Sequence, residues 1–315
     1  MTPTLSLRAR WAVLSKLPAD VSDYRVLRCS DGPSETAWFE RVIRASLFGT
    51  PPPWSTAGRP GEVLPWISFG VCGAGVEATG SRWITVSVTD WNSFAEATWD
   101  SSGRRSATTR CFLVPYEELA RHGLGLVSLW NAVRPVQLPV PGETEESGTP
   151  QPVLLTAQAD PVERTARRVE EAGFGWAAAV AAVALEAPLA LRAQGDRFAL
   201  DRIGVIDAVA SLLPYGYRAT LSASTWAPDA TADAPWICYT KASSPRRRVV
   251  DEDAPPEPVS SPARAHLARL WMLREELGTD GLLRALARRT APASFPGDEG
   301  SRHRTGRRAD AHGEA

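Results

Sequence analysis

Residues 212–226 read LLPYGYRATLSASTW, and this stretch decides the predicted fold. Upstream of it, apolar side chains recur at three- and four-residue steps from Arg197 to Leu213, which predicts a helix. Pro214 ends the helix, because a proline cannot continue its hydrogen-bond ladder. Downstream, alternation from Ala219 to Trp226 predicts a strand. A second predicted strand over 235–240 follows a proline-containing loop, so we expect the two to form a hairpin packed on the helix.

The N-terminal half is predicted to consist mainly of short strands separated by glycine and serine clusters. Such short connections favour antiparallel pairing. Ser34 is a candidate N-cap for one amphipathic helix that runs to Phe48. The predicted apolar face of that helix consists of Trp38, Val42, Ile43, Ala45 and Leu47. The predicted strands cover 5–13, 23–28, 63–71, 82–91 and 107–114, and two short helices follow over 116–122 and 124–133.

The second half is predicted to be mostly helical. Asp160-Pro161 is an N-cap followed by a proline at the first helical position, and it opens a helix that ends near Ala172. An alanine-rich, buried helix follows over 174–185, and a short strand over 188–192. Near the C-terminus, Gly278 is expected to divide two short helices.

Two stretches rich in proline and charged residues are predicted linkers, which divide the chain into domains. The predicted fold class is α+β, with two domains of antiparallel sheets and packed helices, and a short C-terminal helical pair. The predicted parts are an N-terminal domain (1–138), a linker (139–152), a second domain (153–242), a linker (243–262), a helical segment (263–290) and a disordered tail (291–315).

Composition argues against several classes of function. The formal net charge of −1 provides no field that would attract nucleic acid or a membrane surface. Arg8 and Arg10 interrupt the apolar pattern of the N-terminus, so neither a signal peptide nor a membrane span is expected. The four cysteines are widely spaced, which predicts neither a zinc site nor a disulfide framework. The expected location is the cytoplasm.

No motif in the sequence predicts a catalytic residue, a cofactor or a metal. Gly70, Gly73 and Gly75 occur in the order GxxGxG rather than GxGxxG, and a predicted strand follows them where phosphate binding requires a helix. A loop between strands is therefore the favoured interpretation. Cys111 lies within an apolar strand, which predicts a buried structural thiol.

Two other groups of residues are candidate sites. Asp90 and Trp91 lie near strand ends, and together with His122 they could form an unrecognised enzyme pocket. Tyr215, Tyr217 and Arg218 form an aromatic turn that could contact a protein partner, or could simply be a well-packed corner. The twelve tryptophans are expected to serve mainly in core packing, because a recognition surface would require several of them to be exposed on one face.

Two blocks of sequence carry a resemblance to a known family. The first block covers residues 83–119 and includes ITVSVTDW and TRCFLVPYEEL, and the second covers 200–226 and includes DAVASLLPYGYR and LSASTW. Together they resemble the GTPase-associated protein family of bacterial conflict and defence systems. The resemblance implies a protein that accompanies an NTPase as an adaptor and has no NTPase activity of its own. It supplies no catalytic residues.

The sequence therefore favours a non-enzymatic adaptor or scaffold with a GTPase or another P-loop NTPase as its partner, and without nucleic acid or membrane. An enzyme with a pocket near Asp90, Trp91 and His122 is the alternative from another class. A third possibility is a regulatory module whose tail binds acidic partners through Arg302, Arg304, Arg307 and Arg308.

Overall fold

A computed structural model describes residues 4–16, 24–46, 66–72, 82–91, 107–139, 150–192, 201–227, 235–240 and 244–296. Within these ranges the chain forms ten strands and seven α-helices, which confirms the predicted α+β class. The strands are β1 (Thr4–Ser15), β2 (Arg25–Cys29), β3 (Trp66–Cys72), β4 (Trp83–Trp91), β5 (Ala107–Pro115), β6 (Val153–Gln158), β7 (Leu189–Arg192), β8 (Ala223–Ser224), β9 (Ile237–Tyr239) and β10 (Arg248–Asp251). The helices are α1 (Thr36–Ser46), α2 (Tyr116–His122), α3 (Leu126–Val133), α4 (Val162–Glu171), α5 (Phe174–Ala184), α6 (Arg202–Ser211) and α7 (Ser261–Ala287).

These ten strands belong to one mixed sheet. Its order is β10-β7-β9-β8-β3-β4-β5-β1-β2, and β6 also pairs with β1. The strands from β8 to β2 along this order pair antiparallel, whereas β10, β7, β9 and β8 pair parallel. The prediction of purely antiparallel sheets is therefore wrong for β7, β8, β9 and β10, which pair with one another in parallel.

The predicted hairpin of residues 219–226 and 235–240 is also wrong. Its two strands, β8 and β9, pair in parallel, with Ala223 opposite Ile237 and Ser224 opposite Cys238. A parallel connection needs roughly a dozen residues, and the segment over 225–236 is long enough to provide it. The strand is also shorter than predicted, since β8 covers only Ala223–Ser224, and Ala219 belongs to the 3-10 turn Tyr215–Ala219.

β1 connects the N-terminal strands to the segment that follows the first predicted linker. Its first half, Thr4 to Ala9, pairs with β6, and residues Arg10 to Leu14 pair with β5. Leu155 and Ala157 of β6 face the core while Leu154 and Thr156 face outward. The sheet thus crosses the predicted boundary at 139–152, and the division into two domains stays a prediction.

Two apolar clusters lie on opposite faces of β1 and β5. On one face, Trp11 and Phe112 join the large core formed with helices α2 to α7. On the other face, Ala12 and Cys111 pack against α1. The predicted apolar face of α1 needs correction, because the helix buries Phe39, Val42, Ile43 and Ser46, whereas Ala45 is exposed and Trp38 is half-buried. Leu47 lies outside the described residues.

Strand β10 falls within residues 243–262, which are predicted to be a solvated linker. Val250 in this strand is buried, and so is Arg247 just before it. The Arg247 guanidinium donates hydrogen bonds to the carbonyl oxygens of Leu189 at 3.0 Å and Pro235 at 2.6 Å. The high charge content of this segment predicts a solvated linker and not a strand. In the folded chain, carbonyl groups from other segments satisfy the guanidinium of one of its arginines.

The helices α4, α6 and α7 surround α5, which is buried along almost its whole length. The burial of this alanine-rich helix is as the sequence predicts. The range Ser261–Ala287, labelled α7, joins two helical parts across a kink, and this kink lies at the predicted division. Gly278 has φ 68° and ψ 173° within it, so the backbone leaves helical geometry at the predicted division.

Candidate functional site

The predicted contact turn lies largely inside the molecule. Tyr215 is only 3% exposed, and its hydroxyl donates a hydrogen bond of 2.7 Å to the carbonyl oxygen of Leu124. The half-buried guanidinium of Arg218 lies 4.6 Å from the centre of the Tyr215 ring and donates to Ser211 Oγ at 3.2 Å. Burial raises the pKa of Tyr215. Tyr215 and Arg218 therefore bind neighbouring parts of the same chain, which fits the alternative interpretation of this turn as a well-packed corner.

A C-terminal segment, residues 289–296, covers the rest of this turn. Phe295 is 2% exposed, and its ring centre lies 4.9 Å from that of Tyr217 and 4.7 Å from that of Trp236. The predicted disordered tail is thus wrong for residues 291–296, because one aromatic side chain anchors a segment of otherwise small and polar composition. The remainder of that tail, including Arg302, Arg304, Arg307 and Arg308, lies outside the described residues.

The alternative enzyme pocket is not assembled. Asp90 near the end of β4 forms an ion pair of 3.5 Å with Arg110, and burial raises the pKa of its carboxyl group. It lies opposite Thr108 at the start of β5, whereas His122 ends the helix that follows β5. From Thr108 to Pro115 this strand extends roughly 20 Å, so Asp90 and the helix that carries His122 lie at opposite ends of β5. The side chain of Trp91 lies outside the described residues.

The structure assigns Cys111 and Gly70 to the interior of strands. Cys111 is fully buried, as predicted, and burial raises the pKa of its thiol to about 12. Gly70 lies within β3, where an added Cβ would come 2.7 Å from Thr85 Oγ1. A tight packing position explains this glycine, while Gly73 and Gly75 lie outside the described residues.

A buried charged network escaped the sequence predictions. Asp207 on α6 is 1% exposed, and its Oδ1 accepts the backbone N–H of Leu126 at the start of α3 at 2.8 Å. Its Oδ2 lies 3.1 Å from Arg168 of α4, which also contacts Asp160 at 2.7 Å. The sequence signal for this network was Asp207 itself, a single acidic residue among the mainly apolar residues of α6. The network connects three helices and leaves no polar atom of Asp207 unsatisfied.

A second polar cluster lies at the carboxyl ends of the parallel strands. Tyr239 ends β9, and its ring centre is 4.9 Å from the guanidinium carbon of Arg202. Arg202 also donates to the carbonyl oxygen of Thr225 at 2.9 Å. Burial and the nearby Glu252 raise the pKa of Tyr239, so its phenol stays protonated. This cluster supplies hydrogen-bond donors rather than a nucleophile.

The surface of α7 combines an exposed aromatic side chain with a rigid setting. Five large apolar side chains are exposed among the described residues: Leu154, Val259, Trp271, Met272 and Leu277. The last three of these lie on α7. Trp271 is 41% exposed, yet its ring packs edge-on against Phe174 with 4.9 Å between ring centres. Arg274 lies 4.2 Å from the Phe174 ring and pairs with Glu170 at 3.1 Å. We refer to Trp271, Met272 and Arg274 as the α7 patch.

The sequence predictions placed Trp271 in a helix but did not select it as a contact. Periodicity identifies helix α7, but it does not show which helix face the neighbouring helices α4 and α5 leave uncovered.

In the part of the chain that the structure describes, no three histidine, cysteine or acidic side chains are grouped so that they could hold a metal ion. Of the helices within those same ranges, none has the length and apolar character that crossing a bilayer requires. The chain matches no protein-family model, and neither curated proteins nor solved structures include a match to it.

Proposed function

We propose that this chain is a non-enzymatic adaptor that associates with a partner NTPase, and that the α7 patch is its contact surface. The observation that carries the proposal is the Trp271 ring, which is 41% exposed while Phe174 and Arg274 hold it in place. Tryptophan and arginine are the residues most often responsible for binding energy at protein interfaces.

The rigidity of the patch favours binding. A side chain that is already fixed in the free protein loses little conformational entropy when a partner covers it. The ion pair between Arg274 and Glu170 fixes the guanidinium, and the guanidinium in turn lies 5.6 Å from the Trp271 ring. Met272 beside it is 48% exposed, and its flexible thioether can adapt to the surface of a partner.

The identity of the partner as a P-loop NTPase rests on the family resemblance of residues 83–119 and 200–226. That family accompanies NTPases in bacterial conflict systems, and we extend this role to the present chain. The cytoplasmic location and the absence of a nucleic-acid partner belong to the same proposal, and the net charge of −1 is consistent with the absence of a nucleic-acid partner.

Affinity purification of the tagged full-length chain from its native host tests the proposal. The variant Met272→Glu places a charge in the patch without removing a buried contact. Leu154→Glu is the matched control, because it places the same charge on another exposed side chain, which is 71% exposed. We expect a P-loop NTPase to copurify with the wild type and with Leu154→Glu, and to be recovered at roughly tenfold lower yield with Met272→Glu.

Two results would contradict the proposal. The absence of any NTPase from the wild-type eluate would rule out the partner, and equal recovery with Met272→Glu would rule out the α7 patch. Circular dichroism of each variant establishes that a lost interaction does not reflect a lost fold.

A further inference from the structure

The turn at Gly216 binds the C-terminal segment almost entirely through that segment's main chain. The N–H of Gly216 donates to the carbonyl oxygen of Arg289 at 2.8 Å, and the N–H of Ala293 donates to the carbonyl oxygen of Gly216 at 3.0 Å. Tyr116 donates its hydroxyl to the carbonyl oxygen of Thr290 at 2.7 Å, and the Thr220 hydroxyl donates to that of Ala293 at 2.8 Å. These four hydrogen bonds involve no side chain of the bound segment.

The close approach of the two chains depends on a glycine. A Cβ added at Gly216 would collide with the carbonyl oxygen of Ala291. The backbone of the turn therefore lies directly against the backbone of the bound segment. Proteins that bind extended peptides use this geometry, in which main-chain hydrogen bonds supply affinity and a side-chain pocket supplies specificity.

One side chain of the segment supplies the specific contact. Of residues 291–296, only Phe295 is buried, and its ring occupies a slot between Tyr217 and Trp236. The indole N–H of Trp236 donates to the carbonyl oxygen of Ala184 at 2.8 Å, which fixes one wall of the slot. We refer to Tyr116, Gly216, Tyr217, Thr220 and Trp236 as the strap groove.

We propose that the strap groove is a peptide-binding site whose present occupant, residues 289–296, is an intramolecular ligand that a protein partner displaces. The displacing segment is extended and places an aromatic side chain in the slot between Tyr217 and Trp236. Because the groove recognises main-chain groups and a single ring, a segment of unrelated sequence with that ring can form the same contacts. The inference deepens the adaptor proposal and rests on it only for the claim that the occupant belongs to a protein partner.

The bound segment can open without unfolding the core. It contributes one buried side chain, and its main-chain groups can form hydrogen bonds with water when they are released. Segments with few buried apolar contacts open locally, at a free-energy cost below that of global unfolding. A competing segment forms the hydrogen bonds and the ring contact that the released segment loses, so the two segments cannot occupy the strap groove at the same time.

A labelled peptide with the sequence of residues 288–297 tests the inference on the full-length chain. In Phe295→Ala the intramolecular ligand loses its anchor, so more of the groove is open. We expect fluorescence anisotropy to show roughly tenfold tighter binding of the peptide to Phe295→Ala than to the wild type. Arg288→Ala alters an exposed neighbouring side chain and should bind the peptide as the wild type does. Adding Gly216→Ala to Phe295→Ala should abolish binding.

Equal affinity for wild type and Phe295→Ala, or no binding to Phe295→Ala, would overturn the inference. If Phe295→Ala does not fold, Ala293→Pro serves the same purpose, because it removes the N–H that donates to Gly216. Hydrogen exchange on the unmodified chain is a second readout. The amides of Gly216 and Ala293 should exchange roughly tenfold faster than that of Ile237, which donates to Ser222. Equal exchange rates would show that the segment opens only with the whole fold.

Sedimentation of the wild type at increasing concentration tests whether a second copy of the chain, and not a protein partner, supplies the segment in the strap groove. A dimer that Phe295→Ala disrupts would show that a second copy supplies the segment, and this would overturn the assignment to a partner. None of these measurements involves the NTPase, so their failure is distinct from failure of the purification experiment.

Discussion

At the scale of single residues, Asp207 shows how a polar side chain organises an apolar interior. Its carboxylate accepts the N–H of Leu126 and pairs with Arg168, so one buried group fixes the start of α3 and the position of α4. A carboxylate at the N-terminus of α3 also interacts favourably with the helix dipole. These contacts give Asp207 a structural role, because they hold α3 and α4 against α6.

Replacing Asp207 with asparagine should destabilise the protein by about 2 kcal/mol, because a charge-assisted hydrogen bond is lost in a buried site. Arg168 keeps Asp160 as a partner, which prevents a larger effect. Urea denaturation measures the change in free energy of unfolding. Glu163→Gln is the control, because its ion pair with Arg284 is exposed and should contribute little. Equal effects of the two substitutions would contradict this interpretation.

At the scale of elements, side-chain contacts between helices determine how the C-terminal helix is positioned. His266 of α7 donates its Nε2–H to the carbonyl oxygen of Leu212, just beyond the end of α6, at 3.0 Å. A carbonyl oxygen can only accept, so the contact requires the hydrogen on Nε2. Burial lowers the pKa of His266, with further contributions from Arg269 and Arg289, although the bond to Leu212 acts in the opposite direction.

This contact predicts a pH-dependent stability. An unfolded histidine binds a proton near pH 6.5, whereas folded His266 binds one only at lower pH. Between these two pKa values the unfolded state holds more protons, so stability falls as the pH decreases through that range. His266→Gln retains a donor for Leu212 and removes the titration. We expect thermal unfolding between about pH 7.5 and pH 5 to show a smaller loss of stability for the variant. Parallel pH profiles for the two proteins would be the contrary result.

At the scale of the whole molecule, the sheet connects parts of the chain that the sequence assigns to separate domains. β1 pairs with both β5 and β6, and one apolar core contains Leu7, Phe112, Val180 and Ile206. A shared sheet and core favour cooperative unfolding, because neither half can expose its surface without exposing that of the other.

Cys111 and Cys238 provide a test of cooperative unfolding, because both are fully buried and they lie on opposite sides of the predicted domain boundary. Burial raises the pKa of the first thiol to about 12 and that of the second to about 11, so neither reacts readily in the folded protein. In increasing urea, both should become reactive to iodoacetamide at the same concentration, as measured by mass spectrometry. Labelling of one thiol at distinctly lower urea would instead show two independent domains.

The sequence by itself determined those features that depend on neighbouring residues. The helix predicted just upstream of residues 212–226 is present as α6, which ends at Ser211, shortly before Pro214. Cys111 and the alanine-rich α5 are buried as predicted. Periodicity and backbone restriction are local properties, so a single chain segment contains enough information to predict them. Gly278 likewise breaks α7 where the sequence indicates.

Only the tertiary structure decided which elements meet. Four features depend on partners that are distant in the sequence. They are the parallel pairing of β8 with β9, the strand β10 in a charged segment, the packing of Phe295 against Tyr217, and the exposure of one face of Trp271. A hydrogen bond or a buried ring is specified by both of its partners, and local sequence describes only one of them. For this reason the aromatic turn at 215–218 could be located from the sequence, while the segment that covers it could not.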